Sequence, residues 1–291
     1  MRDYGVVLNL LTFNRLSQPG SSYQAMTMVQ CIEAPLQISS AASGKQLNCF
    51  AFNSDGAKLT LPLNHLDLDL LNRRFEPATP QEILAWCIRH IPQGLVQTTS
   101  FSMLAVTHML YAELSHPAPV IFLDTLHLFP ETLATADKAK AIYDLDLHTY
   151  HAVGADSREA FARRYGDRLW ERDIDRFYEL TKVEPLQRSL TELRAQAWIT
   201  GRRRDQSQTR QTLPIFERDD QGRLKINPLA HWTKKEIWAY TFEHNVLYNP
   251  LHDQGYTSIG DQPLTTPTLA GEDERAGRWR GSEKTECGIH L

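Results

Sequence analysis

The sequence predicts an α/β protein: a parallel, twisted sheet with helices on both faces. Three observations carry this. Apolar runs of strand length alternate with helical patterns across residues 95–200. One of those runs, Pro119-Val120-Ile121-Phe122-Leu123-Asp124, is unbroken, as a strand covered on both faces must be, and it ends on a carboxylate. Thr79-Pro80-Gln81-Glu82 is a capping box with proline at the first helical position, which fixes where the ordered alternation begins.

Each element follows from local chemistry. Behind the capping box, Ile83, Leu84, Cys87, Ile88 and Ile91 share one helical face, so Cys87 reads as a core residue. Gly94-Leu95-Val96-Gln97 is a short strand, 98–102 a polar turn and 103–111 a helix. After the 119–124 strand come a helix near 130–141, a strand around 145–150 and a helix over 157–165. Ala197-Trp198-Ile199-Thr200 is a strand running into an arginine-rich loop. Runs 213–217 and 224–227 flank Asp219-Asp220-Gln221-Gly222 as a hairpin. Thr233-Lys234-Lys235-Glu236 caps a helix reaching about His244.

Around this body, residues 1–65 are rich in Ser, Gln and Asn with weak periodicity and read as a poorly ordered extension. Residues 66–254 read as the α/β domain. Residues 255–291, rich in Gly, Pro and Thr, read as a mobile tail.

Composition narrows the function. The 291 residues carry 42% hydrophobic and 23% charged side chains, ordinary values for a globular protein. No apolar run approaches the roughly 18 residues of a membrane span, and no secretory pattern opens the chain, so the cytoplasm is expected. A formal charge of −4 argues against a general polyanion binder, and no aromatic interleaving or recognition motif supports nucleic-acid binding. The four cysteines, Cys31, Cys49, Cys87 and Cys287, form no C-x-x-C and have no histidine at zinc spacing, so neither structural zinc nor an iron–sulfur cluster is expected.

Four constellations carry chemistry. Thr98-Thr99-Ser100-Phe101-Ser102, between a strand and a helix, offers hydroxyls and backbone N–H groups to an anion, although a plain N-cap has the same composition. Asp124-Thr125 lies at a strand's carboxyl end, where a carboxylate accepts from a ribose or an adenine amine, or merely closes a turn. Gly201-Arg202-Arg203-Arg204-Asp205-Gln206-Ser207-Gln208-Thr209-Arg210 holds four arginines, whose guanidinium forks suit phosphate or sulfate. Finally, Glu286-Cys287-Gly288-Ile289-His290 puts a thiol near Arg275 and Arg278, and neighbouring cations favour the reactive thiolate.

In this order, and together with Leu123-Asp124-Thr125, Leu128-Phe129-Pro130-Glu131-Thr132, Lys182-Val183-Glu184-Pro185-Leu186, Gly255-Tyr256 and Ser258-Ile259-Gly260-Asp261, these strings resemble the assimilatory phosphoadenylyl-sulfate (PAPS) and adenylyl-sulfate (APS) reductases over residues 79–291. The resemblance implies an adenine-nucleotide α-hydrolase-like (PP-loop) fold. It also implies reduction of PAPS to sulfite and adenosine 3′,5′-bisphosphate through an S-sulfocysteine on Cys287, reset by thioredoxin or glutaredoxin. Lys182, Arg275, Arg278 and His290 match the family's positions around the sulfate. Thr98, Thr99, Ser100, Phe101, Ser102, Asp124 and Thr125 match the nucleotide pocket, and Arg203, Arg204, Gln206, Ser207 and Arg210 the phosphate-binding loop. A homodimer is the family's expectation. Cluster-bearing members carry Cys-Cys and Cys-x-x-Cys where this chain has Phe177-Tyr178 and Asp261-Gln262-Pro263-Leu264, so no [4Fe–4S] cofactor is expected. Arg275-Ala276-Gly277-Arg278-Trp279 looks more like the cluster-bearing branch, which keeps APS as the alternative substrate. An ATP pyrophosphatase of the same fold would carry Ser-Gly-Gly-x-x-Ser, and Thr99 and Ser100 stand where its glycines would be. A nucleotide-binding protein that has lost turnover is the remaining, non-enzymatic reading.

Overall fold

The computed structural model describes residues 63, 66–281 and 284–290, and the backbone of two strands before them. The chain divides into two units, Met1–Thr60 and Leu61–Leu291. In the first, β1 (Ala51–Phe52) pairs antiparallel with β2 (Lys58–Leu59). The loop readings of the extension, and Cys31 and Cys49, lie outside the described residues.

The second unit is built on a six-stranded sheet. Its strands are β3 (Leu95–Thr99), β4 (Val120–Leu123), β5 (Leu147–Tyr150), β6 (Ala197–Ile199), β7 (Phe216–Arg218) and β8 (Leu224–Ile226), in spatial order β5-β4-β3-β6-β8-β7. All neighbours are parallel except the β7–β8 hairpin. Period-two alternation sorts the side chains: Leu95, Val120, Phe122, Ala197 and Ile199 enter one core, Val96, Ile121 and Trp198 the other.

Helices cover both faces, as the sequence predicts. α1 (Leu68–Phe75), α2 (Pro80–His90), α3 (Ala105–His108) and α4 (Pro130–Tyr143) pack on the first core. In α2, Thr79 and Glu82 form the expected capping box, and Cys87 is fully buried. α5 (Arg158–Tyr165), α6 (Leu169–Arg172) and α7 (Ile174–Tyr178) enclose a third cluster around Phe161, Phe177, Tyr178 and Trp279. α8 (Glu184–Glu192) lays Leu186 and Leu190 on the second core, and α9 (Lys234–Glu243) returns to the first.

Three features differ from the sequence reading. The helix expected over 103–111 leaves α geometry after His108 and continues as a π turn, Met109–Glu113. A second π turn, Glu179–Val183, joins α7 to α8. The segment read as a separate tail belongs to the second unit: Asp261, Thr265 and Trp279 are buried, and isolated bridges tie Leu128 to Asp261 and Thr265 to Arg278. Side-chain bonds and single bridges hold this segment, so it leaves no periodic trace in the sequence.

Strand order reverses at β3. The chain runs outward through β4 to β5, then crosses back to place β6 on the other side of β3. A crevice outside the carboxyl ends of β3 and β6 is the necessary result, and it is where ligands of open α/β sheets bind.

Candidate active site

That crevice opens into a cavity of about 250 Å³. The loop after β3 supplies Thr98, Thr99, Ser100 and Ser102, and the loop after β6 supplies Arg202, Arg203, Gln206 and Arg210. Lys182 enters from the second π turn. Arg275, Arg278, Cys287 and His290 enter from the end of the chain. Residues separated by almost two hundred positions thus share one wall because the sheet reverses there.

Twelve of the residues singled out from sequence line this cavity: Thr98, Thr99, Ser100, Ser102, Lys182, Arg203, Gln206, Arg210, Arg275, Arg278, Cys287 and His290. Five do not. Phe101, at φ 52°, turns inward and packs edge-on against Phe122 at 4.9 Å. Asp124 accepts from the Leu126 N–H at 2.8 Å, closing its own turn, and faces His151 at 3.3 Å. The Thr125 hydroxyl donates to Asp261 at 2.6 Å. Arg204 points away, to Glu76 ahead of α2 and the Leu213 carbonyl. Ser207 bonds the Thr209 hydroxyl at 2.9 Å.

The electrostatics are strongly positive but locally paired. Glu286 binds Arg210 through both carboxylate oxygens at 2.8 Å and Arg275 at 3.1 Å, which docks the segment carrying Cys287 onto the arginine loop. Arg203 is held by Asp205 at 2.9 Å and Glu274 at 2.6 Å. Arg202, buried, is held by Asn227 and Glu217. Burial, and then Arg210, bring Arg275 down to about 10, so it remains a cation at neutral pH. Arg275 and Arg278 stack over Trp279, at 5.2 and 4.5 Å. Gly260 makes room for this: a Cβ there would stand 2.2 Å from the Arg278 guanidinium carbon.

Lys182 donates to Asp261 at 2.6 Å and lies 4.6 Å from the centre of the Tyr178 ring. Burial pushes the Asp261 carboxyl up; Lys182, Arg278 and the Thr125 hydroxyl outweigh it and hold the group below the usual carboxylate range. His290 lies parallel to Trp198, ring centres 5.9 Å apart. Burial, then Arg202, Lys225, Arg210 and Arg275, drive it well below the usual histidine range, so its ring is neutral at pH 7. Three buried nitrogens on this wall, Arg275 Nε, Arg278 Nε and His290 Nδ1, have no hydrogen-bond partner among the described residues.

Comparison with known proteins places this geometry. The family model of the phosphoadenosine phosphosulfate reductase domain matches residues 95–267. The chain belongs to the phosphoadenosine phosphosulfate reductase family. The phosphoadenosine phosphosulfate reductase of Emericella nidulans is 46% identical over 229 residues, covering 77% of this chain and 74% of that one. The adenosine 5′-phosphosulfate reductase of Salinibacter ruber is 43% identical over 244 residues, covering 82% of this chain and 94% of that one. The crystal structure of the Candida auris PAPS reductase in a phosphate complex superposes with a TM-score of 0.63 at 42% identity, over 68% of this chain and 96% of that one. The family therefore includes relatives named for either nucleotide, and the α/β sheet is the PP-loop fold that the sequence predicts.

The positions where the sequence resemblance implies cluster cysteines in other members carry other chemistry here. Phe177 and Tyr178 are fully buried among Phe161, Trp170 and Trp279, and the Trp279 indole N–H donates to the Tyr178 hydroxyl. Asp261 is the partner of Lys182, and Leu264 packs on the same aromatic cluster. None of the four side chains offers a thiolate, so this donor set does not fit an iron–sulfur cluster.

Sequence reasoning assigned no role to two contributors: Asp261, which holds Lys182 and is itself held by Thr125, and Glu286, the clamp on two arginines; it named Arg202 only as part of the arginine loop. Arg202 carried a readable signal, since it is the first charged residue past the strand end. Asp261 and Glu286 carried none beyond membership in matched strings, because their partners lie 79 and 76 positions away.

Proposed function

We propose that this protein reduces 3′-phosphoadenylyl sulfate to sulfite and adenosine 3′,5′-bisphosphate, with Cys287 as nucleophile and without a metal cofactor. The observation that carries the reading is the wall itself: one thiol, the cations Lys182, Arg275 and Arg278, and three buried nitrogens without partners, all in one cavity. A sulfuryl group presents three peripheral oxygens and a net negative charge to such a wall.

In the first step the Cys287 thiolate attacks the sulfate sulfur. An S–S bond forms, the bond from sulfur to the bridging phosphate oxygen breaks, and that oxygen leaves with its electron pair on adenosine bisphosphate. Arg275 and Arg278 offset the charge shared between the sulfuryl and leaving oxygens. Neutral His290 can take part in a hydrogen bond without adding another charge to the cluster. In the second step a thiolate of reduced thioredoxin attacks Cys287 Sγ. Sulfite departs with the S–S electron pair, and the second thioredoxin thiol resolves the mixed disulfide and regenerates the Cys287 thiolate. Each turnover consumes two electrons, so an external donor must supply them; Cys87, the other cysteine among the described residues, is fully buried.

The alternative substrate is adenylyl sulfate, favoured by Arg275-Ala276-Gly277-Arg278-Trp279 and by the 43% identical relative named for that nucleotide. Parallel rates of sulfite release from the two nucleotides, with reduced thioredoxin as donor, decide between them. The proposal expects the 3′-phosphorylated nucleotide to be preferred. Equal or reversed preference replaces it with the alternative, and no sulfite from either removes the enzymatic reading.

A further inference from the structure

A second cluster of chemistry-bearing side chains lies away from the cavity wall, on the π turn after α3 and at the end of α9. One potential ligand atom from each of His108, Glu113 and His244 lies within 4.8 Å of the others. His108 ends α3, Glu113 ends the π turn, and His244 is the C-cap of α9. In an α-helix, residue 113 would stand about 140° around the axis from residue 108. The π turn reduces that offset. Its i→i+5 closure, with the Leu114 N–H donating to the Met109 carbonyl at 2.9 Å, brings the side chain five residues on from His108 back to the same side. π turns of this kind recur at functional sites, and here the turn has a direct consequence, since the Glu113 carboxylate comes within 3.9 Å of His244 Nδ1.

The three groups are supported from behind. His108 Nδ1 hydrogen-bonds the Tyr143 hydroxyl at 3.2 Å, which orients the ring. Tyr240 donates to one Glu113 oxygen and Gln81 donates to the other at 3.1 Å. The His244 ring packs against Tyr240 at 4.4 Å. Hydrogen bonds from outer partners to an imidazole and a carboxylate, as at His108 and Glu113, are how proteins orient metal ligands.

The geometry points to a divalent transition-metal site of His₂Glu composition at His108, Glu113 and His244. Two imidazole nitrogens and one carboxylate suit a borderline ion such as Zn²⁺ and are poor donors for Ca²⁺ or Mg²⁺, which take oxygen ligands. Ligand bonds of about 2.0–2.2 Å require the three atoms to close by roughly 1 Å. Glu113 and His244 are exposed and can make that adjustment. The ion would pin the C-terminal end of α9 to the π turn, joining two elements more than a hundred residues apart.

The full-length protein is titrated with Zn²⁺ by equilibrium dialysis and with Co²⁺ by absorbance, alongside His244→Ala and Glu113→Gln. The proposal expects one Zn²⁺ that both variants weaken by more than about tenfold. It expects Co²⁺ ligand-field bands without the thiolate charge-transfer band that binding at Cys287 would give. It also expects a rise in Tm of roughly 5 °C at a hundredfold excess of Zn²⁺ over Kd, absent in His244→Ala. Glu113→Gln retains an acceptor for Tyr240, so a folded variant that still binds Zn²⁺ as tightly as the parent overturns the proposal. So does a Zn²⁺ site whose Co²⁺ form shows thiolate character.

Discussion

Cys287 carries the chemistry in this account, and its neighbours determine how well it does so. Cys287→Ser keeps the shape of the cavity and removes the nucleophile. Sulfite release should fall by roughly 10⁴-fold or more while nucleotide binding, read by calorimetry, stays within about twofold. The Lys182–Asp261 pair makes a different prediction. Removing one partner of a buried ion pair leaves an uncompensated charge, so Asp261→Asn should lose about 3–5 kcal/mol of stability by denaturant unfolding. Lys182→Met in the same chain should recover part of that loss, with a coupling of about 0.5–3 kcal/mol; strict additivity would show that the two groups do not act together. Gly260→Ala tests the seat of Arg278. The new methyl displaces the flexible guanidinium rather than backbone, so stability should change by about 1 kcal/mol or less while sulfite release drops on the order of 100-fold.

At the scale of elements, the docked segment 284–290 is held by Glu286 on two arginines and by His290 against Trp198. Its docking should depend on pH. The docked His290 pKa lies well below the usual value, while an undocked ring titrates near about 6.5. Below that pH the undocked form binds the extra proton, so docking is fully favoured above about 6.5 and weakens as pH falls through it. Trp198 fluorescence should follow a transition below pH 6.5 that His290→Ala abolishes; an identical profile in the variant would assign the change to another group. The elements also differ in how far sequence disclosed them. α2, the β4 run, the β7–β8 hairpin and α9 were legible because each has a cap, an apolar period or a turn signal of its own. α6 and α7 span four and five residues, too few for a helical period to register, and both π turns shift the apolar pattern out of step. Thr98 and Arg210 were readable as an anion loop and an arginine loop, whereas the inward turn of Phe101 and the diversion of Arg204 to Glu76 depend on tertiary packing.

At the scale of the whole molecule, one topological fact assembles the site. Because strand order reverses at β3, the hydroxyl loop, the arginine loop, Lys182 and the end of the chain converge on one crevice. No helix of the described residues is long and apolar enough to cross a membrane. The aromatic packing of Phe177 and Tyr178, with the ion pair at Asp261, predicts that protein purified anaerobically carries no acid-labile sulfide and no visible iron–sulfur absorbance. The central claim is that Cys287 alone receives the sulfuryl group. Its most direct test is peptide mass spectrometry after one turnover with PAPS in the absence of any thiol donor. The account predicts one SO₃ adduct, located on the peptide containing Cys287 and released as sulfite when reduced thioredoxin is added. An adduct on another residue, or equal sulfite release from Cys287→Ser, would contradict it.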